Sequence, residues 1–247
     1  MSNHQRGAGS LFISWACPVI TNQEIQKCFL VVLYSEMIVS YTRPMTTKSE
    51  ISVRPGRPRE FDTQAVLDKA ITRFSEYGFH GTSISDLNAC LGLTSGSIYK
   101  AWGDKRGLFL ATLDRYMALR AEAIAACLAG ASSGRDKIES LLTHYARLSC
   151  EASGLTGCLV VETAVELSLA DAEIATLITA QQNRREAQLG RLIEEGQLDG
   201  SIREDLNAPN LAKLLLTLQQ GMRVVGKTGA NAKQMLGMVS ELMQLLE

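Results

Sequence analysis

Residues 78–105 read GFHGTSISDLNACLGLTSGSIYKAWGDK. Thr82 or Ser83 offers a cap for a short helix that turns Ile84, Leu87 and Leu91 inward, and Gly92 stops it. Thr94 caps a second short helix carrying Ile98 and Tyr99, and Asp104 caps whatever follows. Two short helices on a tight turn, the second small and rich in hydroxyls, form a helix-turn-helix. The second helix of such a pair must enter a groove about 12 Å wide, and Ser95, Gly96 and Ser97 keep its N-terminus slim. Helix N-termini attract phosphates through free N–H groups and the helix dipole. Thr82, Ser83 and Thr94 stand at such ends, with Tyr99, Lys100 and Lys105 beside them. These residues are the candidate contacts to double-stranded DNA. Plain N-capping, worth ~1 kcal/mol per residue, is compatible with that role.

Upstream, Asp62 or Thr63 caps a helix with Val66, Leu67, Ala70, Ile71 and Phe74 at helical spacing, which Gly78 ends. Before it, VRPGRPREF (53–61) alternates Arg54, Arg57 and Arg59 with Pro55, Gly56 and Pro58. The prolines forbid a regular helix, so this is an extended basic arm. It serves either as a solvated linker or as a phosphate or minor-groove contact through Arg57 and Arg59. Residues 1–52 differ in composition from the rest. Their apolar run CFLVVLY (28–34) is interrupted by Ser35 and Glu36, short of the ~20 residues a membrane span needs. They are expected to be a disordered leader or upstream sequence from a mis-assigned start, with Met45 a natural alternative start.

Downstream the helical period continues without any strand pattern. A long helix is expected over 105–128, with Leu108, Phe109, Leu113, Tyr116 and Ile124 inward. The next runs over 135–151, and SGLTG (153–157) breaks it. A mostly apolar helix over 158–169 should be buried on most sides. Asp171 caps a helix reaching Leu198, with an outer face rich in Arg and Glu. Two final helices carry Leu211, Leu214, Leu215, Leu218 and Met222, then Met235, Met238, Val239 and Leu242. Their wide apolar stripes exceed what one small domain needs to bury, which points to a dimer interface through Leu214, Leu218, Met238 and Leu242.

The 247 residues are 46% hydrophobic and 21% charged, with net charge −1, so any DNA affinity must come from a local basic face. Six cysteines form no C-x-x-C pair and three histidines are scattered, so no metal site and no cofactor are expected. With no signal peptide visible, the thiols are read as reduced and the location as cytoplasmic.

The stretch from Val66 to Leu110 resembles the DNA-binding domain of the TetR/AcrR family of transcriptional regulators. The resemblance rests on L-x-x-A-x-x-x-F from Leu67, GFHGTS from Gly78, LGL from Leu91, T-x-G-S-I-Y from Thr94, and Asp104-Lys105. Asn88 and Leu91 replace usual alanines, Ala101 a frequent phosphate-contacting histidine, and Arg73 a usual leucine. GCLVVETAVEL (157–167) and GQLDGSIREDLNAPNLA (196–212) resemble one subgroup's C-terminal domain. The resemblance implies an all-α protein: a three-helix DNA-binding domain within 53–104, then an effector-binding and dimerisation domain over 105–247. It also implies a homodimer built by a four-helix bundle from the last two helices, a palindromic operator, and a small effector.

For that effector the sequence offers Tyr145, Glu162 and Gln219, polar groups on otherwise apolar faces. Cys158, just after Gly157 at a helix start, is a candidate thiol sensor, with Cys150 nearby. Some family members with a similar Gly-Cys sense electrophiles or oxidants through the thiol. The expected function is a ligand-responsive repressor and not an enzyme. Two alternatives stay open: a thiol-dependent enzyme pairing Cys158 with His144, and a regulator acting by protein contact alone.

Overall fold

The computed structural model describes residues 61–246. The leader over 1–52 and the basic arm with Arg57 and Arg59 lie outside the described residues.

The described residues are helical, without a named strand. Helix α1 (Thr63–Tyr77) starts where the Asp62 carboxylate accepts from Gln64 N at 2.9 Å and ends at Gly78. Helix α2 (Ile84–Leu91) is opened by a reciprocal capping box. Ser83 Oγ accepts from Asp86 N at 3.1 Å, and Asp86 accepts from Ser83 N at 2.9 Å. Helix α3 (Ser95–Trp102) is capped by Thr94 and α4 (Lys105–Leu128) by Asp104. Then come α5 (Gly134–Leu148), α6 (Glu151–Thr156), α7 (Leu159–Leu167), α8 (Ala172–Leu198), α9 (Ala208–Gly226) and α10 (Ala232–Gln244).

Of the two caps offered for α2, the structure uses Ser83. Thr82 is fully buried, and its hydroxyl donates back to Gly78 O at 2.8 Å. The helix expected over 135–151 ends already at Leu148, and SGLTG, rather than breaking it, lies largely within the short helix α6. Its glycine answers a packing need, because a Cβ on Gly154 would lie 2.5 Å from Ser149 O and 3.1 Å from Gly226 O. Helix α7 is buried or half-buried at every position but one, in keeping with its apolar sequence. Leu159, Thr163 and Leu167 face inward, while Val165 is 81% exposed.

Two apolar clusters hold the fold. One joins α1–α3 to the first half of α4, α7 and the start of α8, through Phe74, Leu87, Ile98, Phe109, Leu159 and Ile174. Phe109 meets Phe74 and Phe79 edge-on at centroid distances of 5.0 and 5.1 Å, each pair worth about 0.5–1.5 kcal/mol beyond area burial. The other joins the end of α4 to α5, α8, α9 and α10, through Ile124, Leu142, Ile193, Leu215 and Val239. The first cluster runs across the 104/105 boundary read from the sequence: α7 and α8 complete the core of the helix-turn-helix. That shared core mechanically ties the two parts.

Candidate nucleic-acid interface and effector cavity

Leu87, Leu91 and Ile98 anchor α2 and α3 in the core, leaving the opposite face of α3 in solvent. Thr94, Gly96, Tyr99 and Lys100 are exposed there, Tyr99 by 46%. Gly96 carries no side chain, and a Cβ added to it would meet only Thr94 Oγ1 at 3.9 Å, so the backbone is open to a close neighbour. Ser97 Oγ lies 3.0 Å from Thr94 Oγ1, which orders the helix tip. Asn88, unexplained from sequence, donates to Ser95 Oγ at 2.8 Å and fixes α2 against α3. Arg73 also has a partner. It stacks 3.8 Å over the Tyr77 ring and pairs with Asp86 at 3.3 Å.

Thr82 and Lys105 depart from the DNA face read in the sequence. Thr82 is buried, as described. Lys105 turns inward: its ammonium donates to Phe79 O at 3.0 Å and Thr82 O at 3.1 Å, and lies 4.1 Å from the Phe79 ring centroid. It is engaged in bracing the turn between α1 and α2. A long cationic side chain at a helix start looks the same in sequence whether it faces phosphate or a carbonyl pair.

The same turn is held from far along the chain. Glu166 on α7 accepts from Phe79 N at 2.8 Å and His80 N at 2.7 Å. Gly78 has φ 72° and ψ −179°, a conformation that favours glycine, and a Cβ there would lie 2.7 Å from Glu166 Oε2 and push that carboxylate aside. One turn earlier on α7, Glu162 pairs with Lys227 at 2.6 Å. Lys227, just past α9, also donates to Ser75 O on α1 at 3.3 Å. Nearby, Arg106 on α4 forks onto Asp171 at 2.8 and 3.1 Å, joining α4 to the cap of α8. These bonds, together with that cap, hold the Asp171 carboxyl down to about 2.

Between α4, α5, α7, α8 and α9 lies a cavity of about 60 Å³. Tyr116, Tyr145, Cys158, Gln219 and the arginines Arg120 and Arg185 are among its lining. Three of the five effector candidates read from sequence, Cys158, Tyr145 and Gln219, therefore meet. The other two turn elsewhere. Cys150 donates to Ala146 O at 3.1 Å inside the C-terminal cluster, and Glu162 is engaged with Lys227. Cys158 caps no N–H group with its side chain and receives the Tyr116 hydroxyl at 3.4 Å. Burial, then the neighbouring Cys158, raises the Tyr116 phenol well above its ordinary range; burial also raises the Tyr145 phenol. Sequence reading missed Tyr116, Arg120, Arg185 and Arg223. A tyrosine and an arginine four apart on α4, and an arginine inside the apolar stripe of α9, were the available signals.

His144 lines a separate open cleft with Cys127 and Arg147, away from the lining that includes Cys158. No cluster of potential metal ligands occurs among the described residues, and none of their helices is long and apolar enough to cross a membrane.

Of the expected interface residues, Leu214 is 57% and Met238 37% exposed, while Leu218 and Leu242 are half-buried against the C-terminal cluster. Helix α9 packs chiefly on α8, and α10 on α5. The two final helices are therefore not each other's main neighbours.

A slim, exposed helix set on a helix-turn-helix, with a helical domain enclosing a cavity behind it, defines a DNA-binding transcriptional regulator. Residues 66–112 match the family described as bacterial regulatory proteins, tetR family, and residues 134–235 match the tetracyclin repressor-like C-terminal domain. The chain is 30% identical over 197 residues to the HTH-type transcriptional repressor ComR of Escherichia coli, covering 77% of this chain and 91% of that one. It also resembles a solved structure of a cysteine mutant of the TetR family regulator CifR complexed with 26-bp double-strand operator DNA. That match has a TM-score of 0.70 and 25% identity, covering 78% of this chain and all of the other. A TetR regulator from Chloroflexus aurantiacus is 26% identical with a TM-score of 0.66, over 72% of this chain and 90% of that one. The chain belongs to the TetR family and is a DNA-binding transcriptional regulator.

Proposed function

We propose that this regulator is a cytoplasmic homodimeric repressor. It releases a palindromic operator when a small effector enters the cavity beside Cys158 or when that thiol is modified. One observation carries the coupling. Cys158, Glu162 and Glu166 are spaced four apart at the head and along α7. The first lines the cavity, the second binds Lys227, and the third holds the α1–α2 turn. Any shift of α7 that accommodates an effector pulls on the backbone directly beneath the reading helices. The repressor assignment is supported by the printed functions of ComR and of the E. coli repressor BdcR, to which 118 residues are 32% identical. Dimerisation is supported by the exposed Leu214, Val224 and Val225 on α9 and Leu198 at the end of α8.

DNA contacts are assigned to Arg57, Arg59, Ser83, Thr94, Ser95, Gly96, Ser97, Tyr99 and Lys100, with Lys105 acting through the turn it braces. A gel shift of the full chain on the DNA flanking its own gene tests the reading. A discrete complex that resists excess unrelated DNA and dissolves steeply with salt is expected. Equal affinity for unrelated DNA, or no complex, would overturn it and favour action by protein contact alone.

A further inference from the structure

The effector cavity carries an unusual charge pattern. Arg120, Arg185 and Arg223 line it, and no Asp or Glu does. Arg223 is explained within the fold, since its guanidinium donates to the carbonyls of Leu148, Ser153 and Gly157. Arg120 and Arg185 are not. Arg120 lies 5.2 Å over the Tyr116 ring, and its buried Nε has no hydrogen-bond partner. Arg185 donates to the neutral Gln188 Oε1 at 2.9 Å. Neither has a carboxylate partner among the described residues.

Across the cavity, Gln219 is 3% exposed, yet its amide Nε2 is buried without a partner. An unpaired buried donor keeps its full desolvation cost, so the two unpaired donors on α4 and α9, lining one cavity with Arg185 of α8, call for an acceptor. The rest of the wall, including Met117, Leu148, Val160, Val161 and Leu216, is apolar.

We infer that the cavity takes a small organic anion, a short-chain carboxylate with an apolar tail. This rests on the reading of the cavity as the effector site. The carboxylate sits between Arg120, Arg185 and the Gln219 amide, and the tail lies against Val160 and Leu216. Planar guanidinium forks fit carboxylate oxygens in pairs. The small volume, about 60 Å³, keeps the tail short.

The probes are butyrate, butyramide and butylamine, nearly equal in shape and different in charge. Calorimetry on the full chain measures binding, and fluorescence anisotropy on operator DNA measures release. Butyrate should bind at least about tenfold more tightly than butyramide, and butylamine should not bind. Arg185→Gln and Arg120→Gln should each remove most of that preference, while Arg120→Lys should retain part of it. Equal binding of butyrate and butyramide, or binding of none of the three, would overturn the anion assignment. Charge-selective binding that leaves operator affinity unchanged would instead uphold the anion site and refute its role in regulation.

Discussion

The contact between Glu166 and the α1–α2 turn can be tested as a coupled pair. In Glu166→Ala two carboxylate-accepted hydrogen bonds, at 2.8 and 2.7 Å, are lost. Charge-assisted bonds contribute about 1.5–3 kcal/mol each, but the His80 N–H is exposed and water replaces its partner, so the loss should be about 2–3 kcal/mol. In Gly78→Ala the new side chain meets two obstacles. Its φ of 72° with ψ near 180° costs a non-glycine residue about 1–3 kcal/mol, and its Cβ would lie 2.7 Å from Glu166 Oε2. The carboxylate must swing away, so Gly78→Ala also forfeits part of the same pair of bonds. The double variant loses those bonds once, and its destabilisation should fall short of the sum by about 1–2 kcal/mol. Urea denaturation of the four proteins measures this cycle. Additivity within about 0.5 kcal/mol would mean that the two residues do not interact and that α7 does not hold the turn.

Other consequences follow from the same geometry. Lys105→Ala should lower the unfolding midpoint and weaken operator binding, but leave the slope of affinity against salt unchanged; a slope reduced by about one contact would place the ammonium on phosphate after all. Leu214→Asp should yield a folded monomer in sedimentation, because Leu214 is exposed in the single chain, whereas the half-buried Leu218 would confound dimer loss with unfolding; an intact Leu214→Asp dimer would place the interface elsewhere. Asp171, held down to about 2 by Arg106, stabilises the fold above its ordinary value near 3.8 and loses that contribution as pH falls from there towards 2. Acid unfolding followed by circular dichroism should therefore show a shallower loss of stability across that window in Asp171→Asn; an unchanged acid limb would refute the link. If Cys158 senses oxidants or quinones, Cys158→Ser should keep hold of DNA where the native chain lets go, and equal release by both would make the thiol structural.

The elements were legible because their ends are written locally. Ser83, Thr94, Asp104 and Asp171 each cap the helix that follows, and the glycines at 78 and 92 close helices in conformations few other residues accept. The slim tip of α3 was legible because three consecutive small residues, Ser95, Gly96 and Ser97, run up to the inward Ile98. What sequence could not show was long-range pairing. Glu166 meets residues 86 and 87 positions away, and nothing local separates that carboxylate from a solvated one. Arg185 fell on the Arg- and Glu-rich outer face expected of its helix and Arg120 was not singled out, yet the fold brings both to one cavity. Lys105 was placed correctly on its helix and wrongly in its direction, since the carbonyls it binds belong to the α1–α2 turn, 26 and 23 positions earlier.

We propose that the exposed face of α3 reads DNA as one half of a symmetric pair. A hydroxyl-radical footprint of the full chain on its own upstream DNA tests this directly. Two protected segments related by a dyad are predicted, with centres one helical turn of ~34 Å or a multiple of it apart, and both should vanish in Tyr99→Ala and Lys100→Ala. A single asymmetric footprint, or a dyad footprint unaffected by both substitutions, would contradict it.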